Sequence, residues 1–130
     1  MRAVGLHAQT DANSITTFDL RFKKPNAGDY ITPKALHTIE HLLATVLRNS
    51  REKDNIVYFG PMGCRTGFYL LTLQLTYDEV LALLRECIPA ALALAEIPGA
   101  QREECGNYFE HDLPEAKREL AAYLTVLEAL

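Results

Sequence analysis

Residues 32–50 read TPKALHTIEHLLATVLRNS, and this stretch predicts the helix around which the rest of the chain is organised. Thr32 is a favourable N-cap, and Pro33 suits the first helical position because a proline there loses no needed N–H. Apolar residues then recur at helical spacing on one broad face: Leu36, Ile39, Leu42, Leu43, Val46 and Leu47. The spacing predicts a helix to about residue 50 with that face packed on a core.

The segments on either side of this helix predict a mixture of strands and further helices. Runs of β-branched and apolar residues predict strands over 15–22, 56–59 and 68–75. Thr76 and Glu79 form a capping-box pattern for a second helix to about residue 95, and Asp112 can cap a third that runs to residue 130. Without regular strand-helix alternation, we expect one α+β domain over residues 1–130, mainly an antiparallel sheet with helices packed against it.

Bulk composition narrows the class of protein. A length of 130 residues suits one domain, and a net charge of −4 without a basic run argues against nucleic acid as a partner. No apolar run is long enough to cross a bilayer, and the first ten residues lack the order of a signal peptide. Cys64, Cys87 and Cys105 are odd in number and widely spaced, as in a reducing cytosol. We therefore expect a cytoplasmic protein without membrane contact.

The helix carries an H-x-x-E-H pattern, formed by His37, Glu40 and His41. Residues four apart stack on one helical face, so both imidazoles can reach one divalent ion, and Glu40 can act as a base beside it. Ala44 and Arg48 fall on the same side, opposite the apolar face, as in the wall of a pocket. Two other interpretations stay open: an ordinary solvated face, and the inverted zinc peptidases, which share this pattern.

The cysteines differ in their surroundings. Cys64 lies in a glycine-bracketed turn where Arg65 could favour its thiolate, although a free cysteine is often only a small buried filler. Cys105 lies in the polar stretch 103–107, where its thiolate could complete a His, His, Cys set with an open fourth position. Cys87 is predicted to be core. His7 and His111 have no second ligand at helical spacing, so we expect a surface or capping role for each.

Four segments, in order, resemble the S-ribosylhomocysteine lyases of the LuxS family. Residues 18–26, FDLRFKKPN, are similar to the family's F-D-[LI]-R-F-x-x-P-N strand and turn. Residues 37–43, HTIEHLL, resemble its H-T-[LI]-E-H-L helix, and residues 61–69, PMGCRTGFY, its P-M-G-C-R-T-G-[FY]-Y turn. Residues 104–106 and 111–113 resemble its C-terminal C-G and H-D-L stretches. The resemblance covers nearly the whole chain.

The resemblance implies a fold, a metal and a reaction. The fold would be α+β, in a homodimer with two sites at the subunit interface. One divalent metal per chain, Fe(II) natively and replaceable by zinc or cobalt, would be held by His37, His41 and Cys105. The small-molecule substrate would be S-ribosylhomocysteine, cleaved in the activated methyl cycle to homocysteine and dihydroxypentanedione, the precursor of a quorum-sensing autoinducer.

The resemblance also implies residue roles. Cys64 and Glu40 would shuttle protons between neighbouring carbons while the metal acts as a Lewis acid, and Arg65 would help to keep Cys64 ionised. Arg21 would face the substrate, and Arg48 would help to build the site across the dimer.

Two departures from the family pattern concern substrate binding. The family's N-terminal segment, which lines the substrate site, has no counterpart before Met1-Arg2. The family's Asp-Ile-Ser before the Pro-Met-Gly-Cys turn is Tyr58-Phe59-Gly60 here, so an acidic residue that would grip the amino-acid end of the substrate is replaced. The alternative expectation is a divergent metal-binding homologue with an altered substrate or lost activity.

Overall fold

A computed structural model describes residues 3–11, 14–24, 27–97 and 111–130. Within these ranges the chain forms four strands, three α-helices and a single 3-10 turn at Lys53–Asn55. The strands are β1 (Gly5–Thr10), β2 (Ile15–Arg21), β3 (Ile56–Pro61) and β4 (Gly67–Leu73). The helices are α1 (Pro33–Arg48), α2 (Tyr77–Leu92) and α3 (Leu113–Glu128). The predicted α+β class is confirmed.

The four strands form one antiparallel sheet in the order β1-β2-β4-β3. Leu20 of β2 pairs with Leu6 on one side and with Phe68 on the other, and all three side chains are buried under the helices. Because side chains alternate across a strand, Asp19, Arg21 and Tyr69 lie on the opposite face, which carries none of the three described helices. This second face is called the open face below.

Helix α1 begins as predicted. The Thr32 hydroxyl accepts a hydrogen bond from the Ala35 N–H at 3.3 Å, and Pro33 occupies the first turn. Six side chains of the helix are buried: Ala35, Thr38, Ile39, Leu42, Leu43 and Leu47. Leu36 and Val46, which were expected on the core face, lie at its margin and are only partly buried.

Helices α2 and α3 complete the layer above the sheet. Thr76 and Glu79 form the expected capping box, and the Asp112 side chain accepts a hydrogen bond from the Glu115 N–H at 3.1 Å. Cys87 is buried as predicted, and burial raises the pKa of its thiol to about 11, so it is protonated at neutral pH. The third helix was predicted to run to residue 130, but it ends at Glu128, and Leu130 is 54% exposed.

The three helices contact one another, and α1 and α3 lie against β3 and β1. The Tyr123 hydroxyl on α3 donates a buried hydrogen bond to the Gly5 carbonyl of β1 at 2.9 Å. In the described part of the chain, the helices are too short or too polar to cross a membrane. Packing in this layer of helices buries the apolar side of α1, and the candidate site lies on the polar side of the same helix.

Candidate metal centre and active site

Three histidines meet at the start of α1. His37 and His41 are one helical turn apart, and their Nε2 atoms are 3.0 Å from each other. His111, directly before the N-cap of α3, stacks on His37 with ring centroids 4.2 Å apart and meets His41 edge to face. One possible ligand atom from each residue lies within 4.8 Å of the others. We call this group the histidine cluster.

The histidine cluster fits a divalent ion by its donor chemistry and spacing. Bonds of about 2.0–2.1 Å at tetrahedral angles place two ligand nitrogens roughly 3.3 Å apart, close to the observed separation. Desolvation, together with the charges of His37 and His41, lowers the pKa of His111 to about 4. Neutral imidazole is the form that binds metal ions, so the environment favours the ligating state.

The position of His111 corrects the sequence-based expectation of a surface or capping role. The spacing rule missed it because its partners His37 and His41 lie 74 and 70 residues earlier in the chain. A usable signal was its place beside Asp112, whose capping role marks the start of a helix. Cys105, the third predicted ligand, lies outside the described residues. The imidazole of His7 contacts the Ala3 carbonyl at 2.7 Å, in keeping with a surface role.

The polar side of α1 lines a small cavity. Its lining residues are Glu40, His41, Ala44 and Arg48 from the helix and Phe59 from β3, around a volume of about 260 Å³. The prediction that Ala44 and Arg48 lie on the wall of a pocket is therefore confirmed. The cavity brings a carboxylate, a cation and one cluster histidine to the same space, which suits proton transfer next to a bound ion.

Cys64 lies in the turn between β3 and β4 and is exposed, so the buried-filler interpretation is wrong. Its Sγ is 2.9 Å from the Thr66 Oγ1, and the Arg21 Nη1 donates to that hydroxyl at 2.6 Å. A guanidinium can only donate, so the Thr66 proton is left for the sulfur. Hydrogen bonding from Thr66, supported by the charge of Arg21, lowers the pKa of Cys64 below its ordinary value.

The cation beside the sulfur is Arg21, whose Nη1 is 3.9 Å from the Cys64 Sγ, and not Arg65 as expected. The guanidinium of Arg65 lies instead over the Tyr30 ring, 5.7 Å from its centroid. The expectation from sequence adjacency was wrong because Arg65 has a left-handed backbone conformation, with a φ of 61°, that turns its side chain away from Cys64.

Asp19 holds Arg21 in place. The Arg21 Nε donates to Asp19 Oδ1 at 3.1 Å and its Nη2 donates to Oδ2 at 2.8 Å. This bidentate pairing restricts the guanidinium, and Asp19 is only 5% exposed. Asp19 was not singled out from the sequence, although residues two apart on a strand share a face. Asp19, Arg21, Thr66 and Cys64 form what we call the thiol network.

The thiol network and the histidine cluster are linked through the backbone. The Ile31 N–H, just before α1, donates to the Arg65 carbonyl at 2.9 Å. The thiol network lies on β2 and in the β3–β4 turn, whereas the histidine cluster lies on α1 and directly before α3. Each group is therefore built separately on the chain.

Comparison with known proteins decides the family. The family model described as S-Ribosylhomocysteinase (LuxS) matches residues 1–129. The chain belongs to the LuxS family. An S-ribosylhomocysteine lyase of Phocaeicola vulgatus is 47% identical over 119 residues, covering 89% of this chain and 74% of that protein. One from Borreliella afzelii is 47% identical over 116 residues, covering 86% and 73%, and one from Desulfotalea psychrophila is 45% identical over 116 residues, covering 87% and 73%.

The departure from the LuxS pattern at residues 58–60 has a structural basis. Tyr58 is 53% exposed on the open face, and its side chain lies across Gly60. A Cβ added at Gly60 would come within 2.0 Å of the Tyr58 hydroxyl, so a residue larger than glycine cannot stand beside this tyrosine without moving it. The tyrosine at position 58 in this conformation therefore requires the glycine at position 60.

Proposed function

We propose that this LuxS-family chain is a metal-dependent S-ribosylhomocysteine lyase, which cleaves its substrate to homocysteine and the dihydroxypentanedione precursor of an autoinducer. The 47% identity to proteins named S-ribosylhomocysteine lyase, over most of the chain, carries the proposal. Two further features support it: an exposed cysteine whose pKa is lowered, and a group of histidines able to hold a cation.

The residues suit the chemistry of this substrate. S-ribosylhomocysteine is an open-chain sugar with its thioether three carbons from the carbonyl, so the carbonyl must move along the chain before the thiol can leave. Each shift removes a proton from one carbon and returns it to the next. A divalent metal held by His37, His41 and Cys105, Fe(II) natively with zinc or cobalt as replacements, would supply Lewis acidity to the carbonyl oxygen.

Proton transfer is assigned to Cys64 and Glu40. The Thr66 hydroxyl and Arg21 stabilise the negative charge of Cys64 and lower its pKa, which favours the thiolate that would take a proton and return it as a thiol. Glu40 shares its cavity with His41, so its carboxylate is placed to move a proton beside the metal position. Arg21 then has two tasks, contact with substrate and stabilisation of the thiolate. Arg48 lines the same cavity as Glu40.

We propose a homodimer in which the open face is covered by a second copy and the site is completed at the interface. Three large side chains are exposed on or beside that face: Tyr58 by 53%, Tyr69 by 40% and Leu73 by 37%. Large exposed apolar groups lying together are typical of a surface that binds another protein. Sedimentation equilibrium should give twice the chain mass, and Tyr69→Glu should shift the measured mass toward that of the monomer.

With its free thiols, the protein is proposed to work in the cytoplasm.

The direct test is release of free thiol from S-ribosylhomocysteine. The protein is purified without air and loaded with Fe(II) or Co(II), and thiol release is followed for the wild type and for Cys64→Ala and Glu40→Ala. Both variants should lose the activity. Cys87→Ala removes a buried thiol instead and should keep it. Full activity of Cys64→Ala would refute the proposed mechanism.

The replacement at residues 58–60 favours a second candidate, a metal-binding homologue with a different substrate or without turnover. Tyr58 stands where the family has an aspartate, and a lost charge-assisted contact weakens binding by about 1.5–3 kcal/mol. One bound metal per chain without thiol release would support this alternative.

A further inference from the structure

Thr38 is the polar member of the buried face of α1, and its hydroxyl makes three contacts. It is 0% exposed. Its Oγ1 donates to the Lys34 carbonyl one turn earlier at 2.9 Å. The Asp112 N–H donates to the same oxygen at 2.9 Å, and the His111 Nδ1 lies 3.0 Å from it. One buried hydroxyl thus joins the helix that carries His37 and His41 to the start of α3.

The proton arrangement at this oxygen follows from the three contacts. A hydroxyl has one proton, and a carbonyl can only accept, so the Thr38 proton belongs to the bond with Lys34. The Asp112 N–H can only donate. The Thr38 oxygen has no second proton to give to His111, so it must accept in that contact. The His111 Nδ1 therefore carries a proton and donates it to Thr38. In neutral His111 the lone pair is then on Nε2.

We propose that Thr38 is a positioning residue of the metal site: its hydroxyl holds His111 in the tautomer whose Nε2 lone pair is directed to the histidine cluster, and it thereby strengthens metal binding by His37 and His41. A lone pair near the ion position attracts a cation, as ligand or as acceptor for bound water, whereas an N–H there would repel it. The inference rests on the metal site of the proposed function but assigns residues outside its ligand set.

Metal affinity in matched variants tests this role without recourse to lyase activity. Metal-free full-length protein is titrated with Co(II), and visible absorption with a competing chelator gives the Kd. Thr38→Val keeps the branched shape and loses the hydroxyl, so its Kd for Co(II) should rise about 10- to 100-fold, the usual effect of an outer-shell partner. Thr38→Ser restores the hydroxyl and should bind as the wild type does. Unchanged affinity in Thr38→Val would overturn the proposal.

His111→Asn separates the tautomer from simple anchoring. An asparagine amide can occupy the place of the Nδ1–H and still donate to Thr38, but it has no counterpart of Nε2. We expect weaker Co(II) binding than in the wild type. If His111→Asn binds Co(II) normally while Thr38→Val does not, then Thr38 acts only by holding the start of α3, and the proposed role of His111 is wrong.

The tautomer itself is read in the metal-free wild type by long-range ¹H–¹⁵N correlation of its histidine rings at neutral pH. The pattern of an Nδ1–H, Nε2-lone-pair ring is expected for His111, and the opposite pattern overturns the proposal. If Thr38→Val fails to fold by circular dichroism, His111→Asn and this spectrum decide. A wild type that binds no Co(II) would refute the metal site as well, whereas normal wild-type binding with unaffected variants refutes this role alone.

Discussion

The thiol network and the histidine cluster differ in whether their own side chains balance the local charge. In the thiol network, the carboxylate of Asp19 pairs with Arg21, which is hydrogen-bonded to Thr66 and lies beside the Cys64 sulfur. Negative and positive groups therefore alternate, and side chains alone lower the pKa of Cys64. In the histidine cluster, two Nε2 atoms stand 3.0 Å apart, an arrangement that requires a proton or a cation between them.

Of these two groups, only the histidine cluster is expected to depend on an added ion. The thiol network should keep its reactivity in metal-free protein, because among the described residues the groups that lower the pKa of Cys64 are Arg21 on β2 and Thr66 in the β3–β4 turn. The histidine cluster is expected to gain its full order only when a divalent ion takes the place of the proton between the two Nε2 atoms.

The largest expected effect comes from disabling each group in turn. Cys64→Ala should lower thiol release from S-ribosylhomocysteine by about 10²–10⁴-fold, the usual contribution of a general acid–base group, and leave Co(II) affinity unchanged. His41→Ala should abolish tight Co(II) binding and leave alkylation of Cys64 in the metal-free protein at the wild-type rate. Coupled losses, in which either variant damages both properties, would show that the two groups are not independent.

A smaller change is expected when the family's substrate-gripping pattern is restored. Tyr58→Asp combined with Gly60→Ser should lower KM for S-ribosylhomocysteine by about tenfold or more, through one added charge-assisted contact. Gly60→Ser needs the first change because the Tyr58 side chain occupies the space of its Cβ. Tyr58→Asn combined with Gly60→Ser is the matched control, because it makes the same changes without the charge, and it should leave KM without this gain. An unchanged KM in the double variant would remove residues 58–60 from substrate recognition.

The thiol network itself is tested by the pH dependence of Cys64 alkylation with iodoacetamide. Thr66→Val removes the hydrogen bond that contributes most to lowering the pKa of Cys64, so the alkylation profile should move to higher pH and the rate at neutral pH should fall several-fold. Asp19→Asn should act in the same direction but less, because it only loosens Arg21. A profile that Thr66→Val leaves in place would assign the lowered pKa to another cause.

The smallest effect concerns stability and should touch neither group. The Thr72 hydroxyl is buried on the helix side of β4, and among the described residues it has no hydrogen-bond partner. Thr72→Val removes this desolvated group with little change of shape and should raise the free energy of unfolding in urea by about 1 kcal/mol. Thr16→Val is the contrast, because the Thr16 hydroxyl is bonded to Thr10 at 2.8 Å and its loss should not stabilise.

The sequence was most informative where local rules decide the structure. The start of α1, the capping box of α2 and the Asp112 cap of α3 follow from side chains that bond to backbone within three residues. β1, with the sequence GLHAQT, was not predicted, because an edge strand with one half exposed shows little apolar alternation. Its place depends on pairing with β2 and on the hydroxyl of Tyr123.

The sequence by itself determined the elements of the site that lie on one segment: the histidine pair with Glu40 on α1, the cysteine turn, and the apolar patterns that make an α+β fold. Only the tertiary structure decided that His111 joins the histidines and that Arg21, rather than Arg65, lies beside the Cys64 sulfur. The reason is physical. Helical spacing and capping act over a few residues, whereas these contacts depend on strand register and on the packing of α3 against α1, which bring together groups 43 and 73 residues apart.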